Sequence, residues 1–237
     1  MQKLSNNEHL SLFYETVDEQ LRFLVDYFRA GFERNELCIL ATHSTEKEIA
    51  HQLESAGLDI SGHIRAGDIH IFSALEAYLP QGRFVADYMI GNLAYFVQAA
   101  ADQGYSGIRV ASETHWPHDT SALQTETSLY ENSVNELLKG NSHFTELCLY
   151  PAHTSPDEVI KGAVQTHPKF VYDNEIHNNP YYFSPDKFTR FNSDKLPKNT
   201  DRWLESLKKK RYRLKLNDTT SREMARTDQA IKKLLTA

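Results

Sequence analysis

Glycine is sparse in this chain, ten residues in 237, and none stands where a phosphate-binding loop would need it. The short apolar run Leu37-Cys38-Ile39-Leu40-Ala41 reads as a buried strand, and a helical pattern follows over 45–57. An α/β nucleotide-binding protein carries a glycine-rich loop and a lysine at such a junction, because backbone amides and an ammonium must come close to phosphate oxygens. Here the junction reads Ala41-Thr42-His43-Ser44-Thr45-Glu46. It has no glycine and no lysine, and Glu46 sets negative charge at the helix start. That pattern excludes ordinary P-loop chemistry and favours binding or sensing over catalysis, so no enzyme is expected. A serine hydrolase is also disfavoured, since no G-x-S-x-G turn is present to expose a nucleophile. The two cysteines, Cys38 and Cys148, each sit inside an apolar strand pattern. They read as small core residues and give neither a disulfide framework nor a CxxC metal site. No apolar run approaches the length of a bilayer span and no signal-peptide hydrophobic region follows Met1, so a cytoplasmic protein without membrane association is expected.

What is present is a chain able to bury one sizeable core, with 40% hydrophobic and 24% charged residues. Its net charge of −6 hides an asymmetry: residues 199–237 hold 11 Lys/Arg against 5 Asp/Glu, and the rest of the chain holds 15 against 27. The body therefore repels nucleic acid, which is not an expected partner, while Lys208-Lys209-Lys210-Arg211 gives the tail a basic cluster that reads first as a solvated helix face and, as the alternative, suits an acidic protein surface. Thr16-x-x-Glu19 and Thr45-x-x-Glu48 are capping boxes that open helices, the first ending near Gly31 to Asn35 and the second at Gly57. Further helices are predicted over 83–102, 121–138 and from Ser155-Pro156-Asp157-Glu158 onward, with strands at 69–72, 107–111, 147–150 and 169–172. Alternating strands and helices predict an α/β fold with a mostly parallel sheet flanked by helices, over residues 1–190, followed by a helical tail or signalling linker over 191–237.

Such a sheet receives its ligand at the carboxyl ends of the strands. The segments leaving those ends supply His43, Glu113, His115, Trp116 and Tyr150 as candidate ligand-binding residues. Glu113 could fix a ligand donor or pair with Arg109, itself a candidate. Tyr150 shares a strand face with Cys148 and could line a pocket or pack in the core. His9 and Tyr14, before the first predicted helix, could meet a small polar or cationic ligand, although a surface histidine is the plainer reading of His9. His167, before Pro168, and Tyr182, after Asn179-Pro180-Tyr181, shape loops that could close over a site. His43, His115, His153 and Glu113 are the donors a metal would draw on at that edge. No HxH or HExxH spacing joins them, so neither a metal nor another cofactor is expected.

Several of these segments, in order, resemble the MEDS domain, the sensory domain of methanogen and methylotroph signalling proteins. The matching pieces are His9-Leu10-Ser11-Leu12-Phe13-Tyr14, Gly31-Phe32-Glu33-Arg34-Asn35-Glu36-Leu37-Cys38 and Gly107-Ile108-Arg109-Val110-Ala111-Ser112-Glu113-Thr114-His115-Trp116. They continue through Tyr130-Glu131, Leu147-Cys148-Leu149-Tyr150, Thr166-His167-Pro168 and Asn179-Pro180-Tyr181-Tyr182. The resemblance implies a divergent RecA/KaiC-like fold without a working Walker motif, sensing a small organic hydrocarbon derivative in prokaryotic signal transduction. It also implies output through a protein partner such as a histidine kinase or transcription regulator, or through a change in a homo-oligomer.

Overall fold

The computed structural model describes residues 7–79, 84–114, 121–172 and 174–184. The segment His9–Tyr14 is a strand, β1, which the sequence reading did not assign. It is buried along nearly its whole length, and its alternation is legible in retrospect: Leu10, Leu12 and Tyr14 face one way, His9, Ser11 and Phe13 the other. The helix α1, Val17–Glu33, follows, with the Thr16 side chain accepting from the Glu19 amide as the capping box predicts. The strand read as the first is therefore the second, β2, Glu36–Thr42. The junction that opens the fold is Tyr14-Glu15-Thr16-Val17-Asp18-Glu19, one unit earlier than expected, and it too lacks glycine and lysine.

Next come α2, Glu46–Ser55, opened by a complete Thr45–Glu48 capping box, and α3, Ile60–Ala66, in a stretch to which the sequence reading assigns no helix. The Asp59 side chain caps α3, and Gly57 and Gly67, at φ of 96° and 83°, end α2 and α3 in the left-handed conformation that glycine accepts without strain. The chain continues through β3, Ile69–Ser73, the short α4, Ala74–Tyr78, and α5, Ala86–Asp102. Then follow β4, Gly107–Glu113, α6, Ser121–Gly140, β5, Phe144–Pro151, and α7, Asp157–Thr166. The strands β6, Lys169–Tyr172, and β7, Glu175–Asn178, complete the described elements. The tail assigned to 191–237 lies outside the described residues.

The strands form one seven-stranded sheet in the order β3-β2-β4-β5-β1-β6-β7, parallel throughout except for the β6–β7 hairpin. An α/β fold with a mostly parallel sheet flanked by helices is thus what the sequence forms. One face packs Leu24, Phe28, Ile49, Leu53 and Ile60 of α1–α3 against Leu10, Leu40 and Leu147. The other packs Met89, Leu93, Tyr130 and Val134 of α5 and α6 against Ile39, Val110 and Phe144, with α7 covering Cys148 and Tyr150. Each fully buried Leu or Phe contributes about 1.5–3 kcal/mol to such a core. From β1 the chain leaves through α1 on the first face, and from its neighbour β5 it leaves through α7 on the second. Strands that send their connections to opposite faces open a crevice at their carboxyl ends.

Gly31 shows how closely α1 approaches the sheet. A Cβ there would stand 2.8 Å from Cys38 Sγ and 2.9 Å from Arg109 Cδ. The residue read as a helix stop is instead a contact point inside α1.

Candidate functional site

Two polar assemblies stand out, and the sequence-derived candidates divide between them. At the carboxyl edge, Glu113 ends β4 with its side chain on the α1 face. Its Oε1 accepts from Gln20 Nε2 at 2.7 Å, and its Oε2 accepts from the His43 amide at 2.6 Å. One carboxylate thus ties the β2–α2 turn to α1. Tyr14 lies beside it at the end of β1, where burial first and the Glu113 charge second push its phenol above the ordinary range. The Tyr14 carbonyl accepts from the Ala152 amide at 2.8 Å, which joins the β5–α7 turn to the same edge. The structure therefore brings Tyr14, Glu113 and the His43 backbone together. The His43 side chain is exposed, as is that of His153. His115 and Trp116 lie outside the described residues.

Both helix starts at this edge are closed by their own carboxylates. Glu19 Oε2 accepts from the Glu15 amide at 2.8 Å, and Glu48 Oε2 accepts from the Thr45 amide at 2.9 Å and from its hydroxyl at 2.7 Å. These bonds hold the Glu48 carboxyl below its usual range. The amides of Glu15 and Glu19 at α1 and of Thr45 and Glu48 at α2 are thus paired, and a carboxylate stands at each helix start, where an anion would otherwise be drawn.

Arg109 does not belong to this edge. It sits in the amino-terminal half of β4, fully buried, with Nε donating to Glu36 Oε2 at 2.5 Å and its guanidinium 4.7 Å from the centre of the Tyr27 ring. The expected Glu113–Arg109 alternative is thereby corrected: both point to the α1 face, but four residues of extended strand separate them, and Glu36 at the start of β2 is the nearer anion. Tyr182 follows β7 and is half-buried, its amide donating to the Asn179 carbonyl at 3.4 Å.

The second assembly lies between the sheet and α6–α7. His9, at the start of β1, and His167, in the turn between α7 and β6, stand at the amino-terminal side of the sheet and not at its carboxyl edge, and the plainer reading of His9 as a surface residue is overturned: both are buried. Their ring centres are 4.0 Å apart. Glu131 of α6 reaches down to them, with Oε2 at 3.2 Å from His9 Nε2 and 3.5 Å from His167 Nε2. Its Oε1 accepts from the Tyr150 hydroxyl at 3.0 Å. Cys148 Sγ lies 3.7 Å from His9 Nε2 and 3.8 Å from Glu131 Oε2. His9, Glu131, Cys148 and His167 each place one donor atom within 4.8 Å of all the others.

The far sides of both rings are committed. His9 Nδ1 meets Asn135 Oδ1 at 3.1 Å, and Asn135 Nδ2 donates to the carbonyls of Glu131 and Thr166, which fixes the amide with its oxygen toward the ring. His167 Nδ1 donates to the Ala163 carbonyl at 2.7 Å. Burial pulls His9 down, but Glu131, helped by Glu146, carries it above the ordinary histidine range. Burial and the neighbouring His9 depress His167 to about 3, and burial followed by Glu131 raises the Cys148 thiol. Glu131, despite its burial, is held below the usual range by His167, His9 and Tyr150. Sequence reasoning named His9, Tyr150 and His167 but missed Glu131 and Asn135. Both lie on a helix read only for its apolar face, and their four-residue spacing, which sets them on that same face, was the available signal.

The model of the MEDS family, the methanogen/methylotroph, DcmR sensory domain, matches residues 8–168. Among curated proteins none matches. Among solved structures the chain is similar to the KaiC-like protein PH0186 from the hyperthermophilic archaeon Pyrococcus horikoshii OT3, at 13% identity and a TM-score of 0.44, over 70% of this chain and 71% of that one.

Proposed function

Because the chain belongs to the MEDS family of sensory domains, we propose that it senses a small organic hydrocarbon derivative, neutral or cationic, without turning it over. The ligand site in this reading is the carboxyl-edge crevice around Tyr14, Gln20, His43 and Glu113. The observation that supports it is the bonded carboxylate, Glu19 or Glu48, at each helix start. An anionic substrate would have to displace bonded carboxylates and face Glu113 as well, whereas a methylated amine or a small alcohol meets an acceptor and an aromatic hydroxyl. Output passes to a protein partner, a histidine kinase or transcription regulator, or through a change in a homo-oligomer.

The test is a thermal-shift and calorimetric titration of the purified full chain against methylated amines, halogenated methanes and small alcohols, with ATP and magnesium in parallel. A ligand that binds only the folded state raises Tm with concentration. The expected result is a shift with one organic class and none with ATP. Stoichiometric ATP binding with release of phosphate would overturn the reading.

A further inference from the structure

We propose that His9, Glu131, Cys148 and His167 form a closed four-ligand site for a zinc-class divalent ion. The inference stands apart from the sensor reading, since the site lies under α6–α7 and not at the carboxyl edge.

The distances carry it first. Zinc takes nitrogen at about 2.0–2.1 Å, carboxylate oxygen at about 2.0–2.2 Å and thiolate sulfur at about 2.3 Å, almost always tetrahedrally in closed sites. With one sulfur, donors on a tetrahedron of those radii stand about 3.3–3.7 Å apart. Four of the six separations here are 3.2, 3.5, 3.7 and 3.8 Å, and all six lie within 4.8 Å, so the ion would draw His167 slightly inward. A carboxylate meeting an imidazolium directly would close to about 2.7–2.9 Å. The four side chains are spaced as edges around a common centre more than as partners of one another.

The outer contacts carry it next. Metal-bound histidine typically donates its other nitrogen to a carbonyl or carboxylate, which fixes the tautomer. Asn135 Oδ1 and the Ala163 carbonyl do this for His9 and His167, and both Nε2 atoms are left toward the shared centre. The Tyr150 hydroxyl occupies Glu131 Oε1 and leaves Oε2 as the single inward oxygen. His167 Nε2 is buried and makes no hydrogen bond among the described residues. A buried nitrogen lone pair without a donor is what an ion would satisfy.

Charge and donor type then select the ion. One thiolate, one carboxylate and two neutral imidazoles cancel a divalent charge, which suits a dry layer where net charge is costly. Soft sulfur with imidazole selects zinc-class ions over magnesium or calcium, which take oxygen donors. Binding as a thiolate releases the Cys148 thiol proton to solvent, and both imidazoles ligate as neutral rings. The bound ion would join β1, β5, α6 and the α7–β6 turn at one point.

The experiment strips the purified full chain with a chelator, dialyses it and titrates zinc, and separately cobalt(II). One zinc per chain is expected, together with a sulfur-to-cobalt charge-transfer absorption. That absorption should vanish in Cys148→Ser and persist in Cys38→Ser, whose sulfur lies on the other face of the sheet. Asn135→Ala, which holds a ligand without touching the ion, should weaken zinc about 10–100-fold. Substoichiometric zinc and no charge-transfer band in folded wild-type protein would overturn the proposal whatever the variants do. A band that survives Cys148→Ser would overturn it equally.

Discussion

On the α1 face of the sheet, Arg109 and Glu36 form a buried pair of one cation and one anion, joined by a single 2.5 Å bond from Nε, with the Tyr27 ring across a guanidinium whose two terminal nitrogens make no hydrogen bond among the described residues. On the α6–α7 face, one carboxylate is met by two imidazoles and a thiol at 3.2–3.8 Å, with their outer nitrogens held by other groups. Both assemblies are buried and both cross between elements distant in sequence. The first has the short contact of charges that have found each other. The second has an excess of lone pairs around one centre, which a structural ion pair does not need. A close charge pair in a core is thus weak evidence of function, and convergent donors of mixed chemistry are stronger.

Breaking the first assembly should have the largest effect on stability. Arg109→Met leaves the Glu36 carboxylate buried without its cation, and such half-pairs cost about 3–5 kcal/mol. Urea denaturation should show that loss, and the double variant Glu36→Leu/Arg109→Met should recover most of it, because two apolar side chains need no partner. A double variant no better than the single one would mean that the pair organises this face beyond its own charges.

The second assembly should answer to metal where the first does not. With free zinc at 100 times Kd, mass action adds about 2.7 kcal/mol to the folded state. Excess chelator should remove that increment in the wild type and in Cys38→Ser, and should change nothing in Glu131→Gln. The readout is Tm with and without chelator. A Glu131→Gln protein that still loses stability to chelator would move the ion elsewhere in the chain.

Gly31→Ala sharpens the contrast at the Arg109 face alone. The added methyl meets Cys38 Sγ and Arg109 Cδ inside normal contact distance, and overpacking of that kind costs about 1–3 kcal/mol, offset by about 1 kcal/mol of helix propensity. A net loss of up to about 2 kcal/mol in urea, with zinc stoichiometry unchanged, is the expected result. A change in zinc binding would show that the two faces are coupled through the sheet.

Much of this arrangement was legible in the residues. Capping boxes at Thr16 and Thr45 and apolar runs at 37–41 and 107–111 placed α1, α2, β2 and β4 within a residue or two, because those signals are local. β1 was not placed, since His9 and Ser11 interrupt its apolar pattern, and the polar side chains that hide the strand are the ones that build the buried cluster. Asp59 and the short span before Gly67 concealed α3 among turn-forming residues. The cluster itself escaped because its four donors come from β1, α6, β5 and the end of α7. Metal motifs are readable when two ligands share one turn of helix or hairpin, and here the register of the parallel strands does that work. His9 lies opposite Glu146 and Ser11 opposite Cys148, which sets His9 and Cys148 on one face of neighbouring strands.

Glu113 separates geometry from charge at the carboxyl edge, with the smallest expected effect on stability. Its two oxygens serve two donors, Gln20 Nε2 and the His43 amide. In Glu113→Gln the new carbonyl can accept from His43, which has no freedom to turn. The new NH2 can then donate to Gln20 once the Gln20 amide rotates to present its oxygen. Both bonds survive as neutral ones, and the loss should be about 1 kcal/mol or less, whereas Glu113→Ala strands a buried amide and should cost about 1–3 kcal/mol. A ligand held by charge, such as a methylated ammonium, should then weaken at least about tenfold in Glu113→Gln, the equivalent of a charge-assisted contact of about 1.4 kcal/mol. A neutral ligand held by shape should bind the Gln variant as it binds the wild type. Titration of Glu113→Gln with the compound found for the wild type therefore distinguishes a sensor that reads charge from one that reads shape.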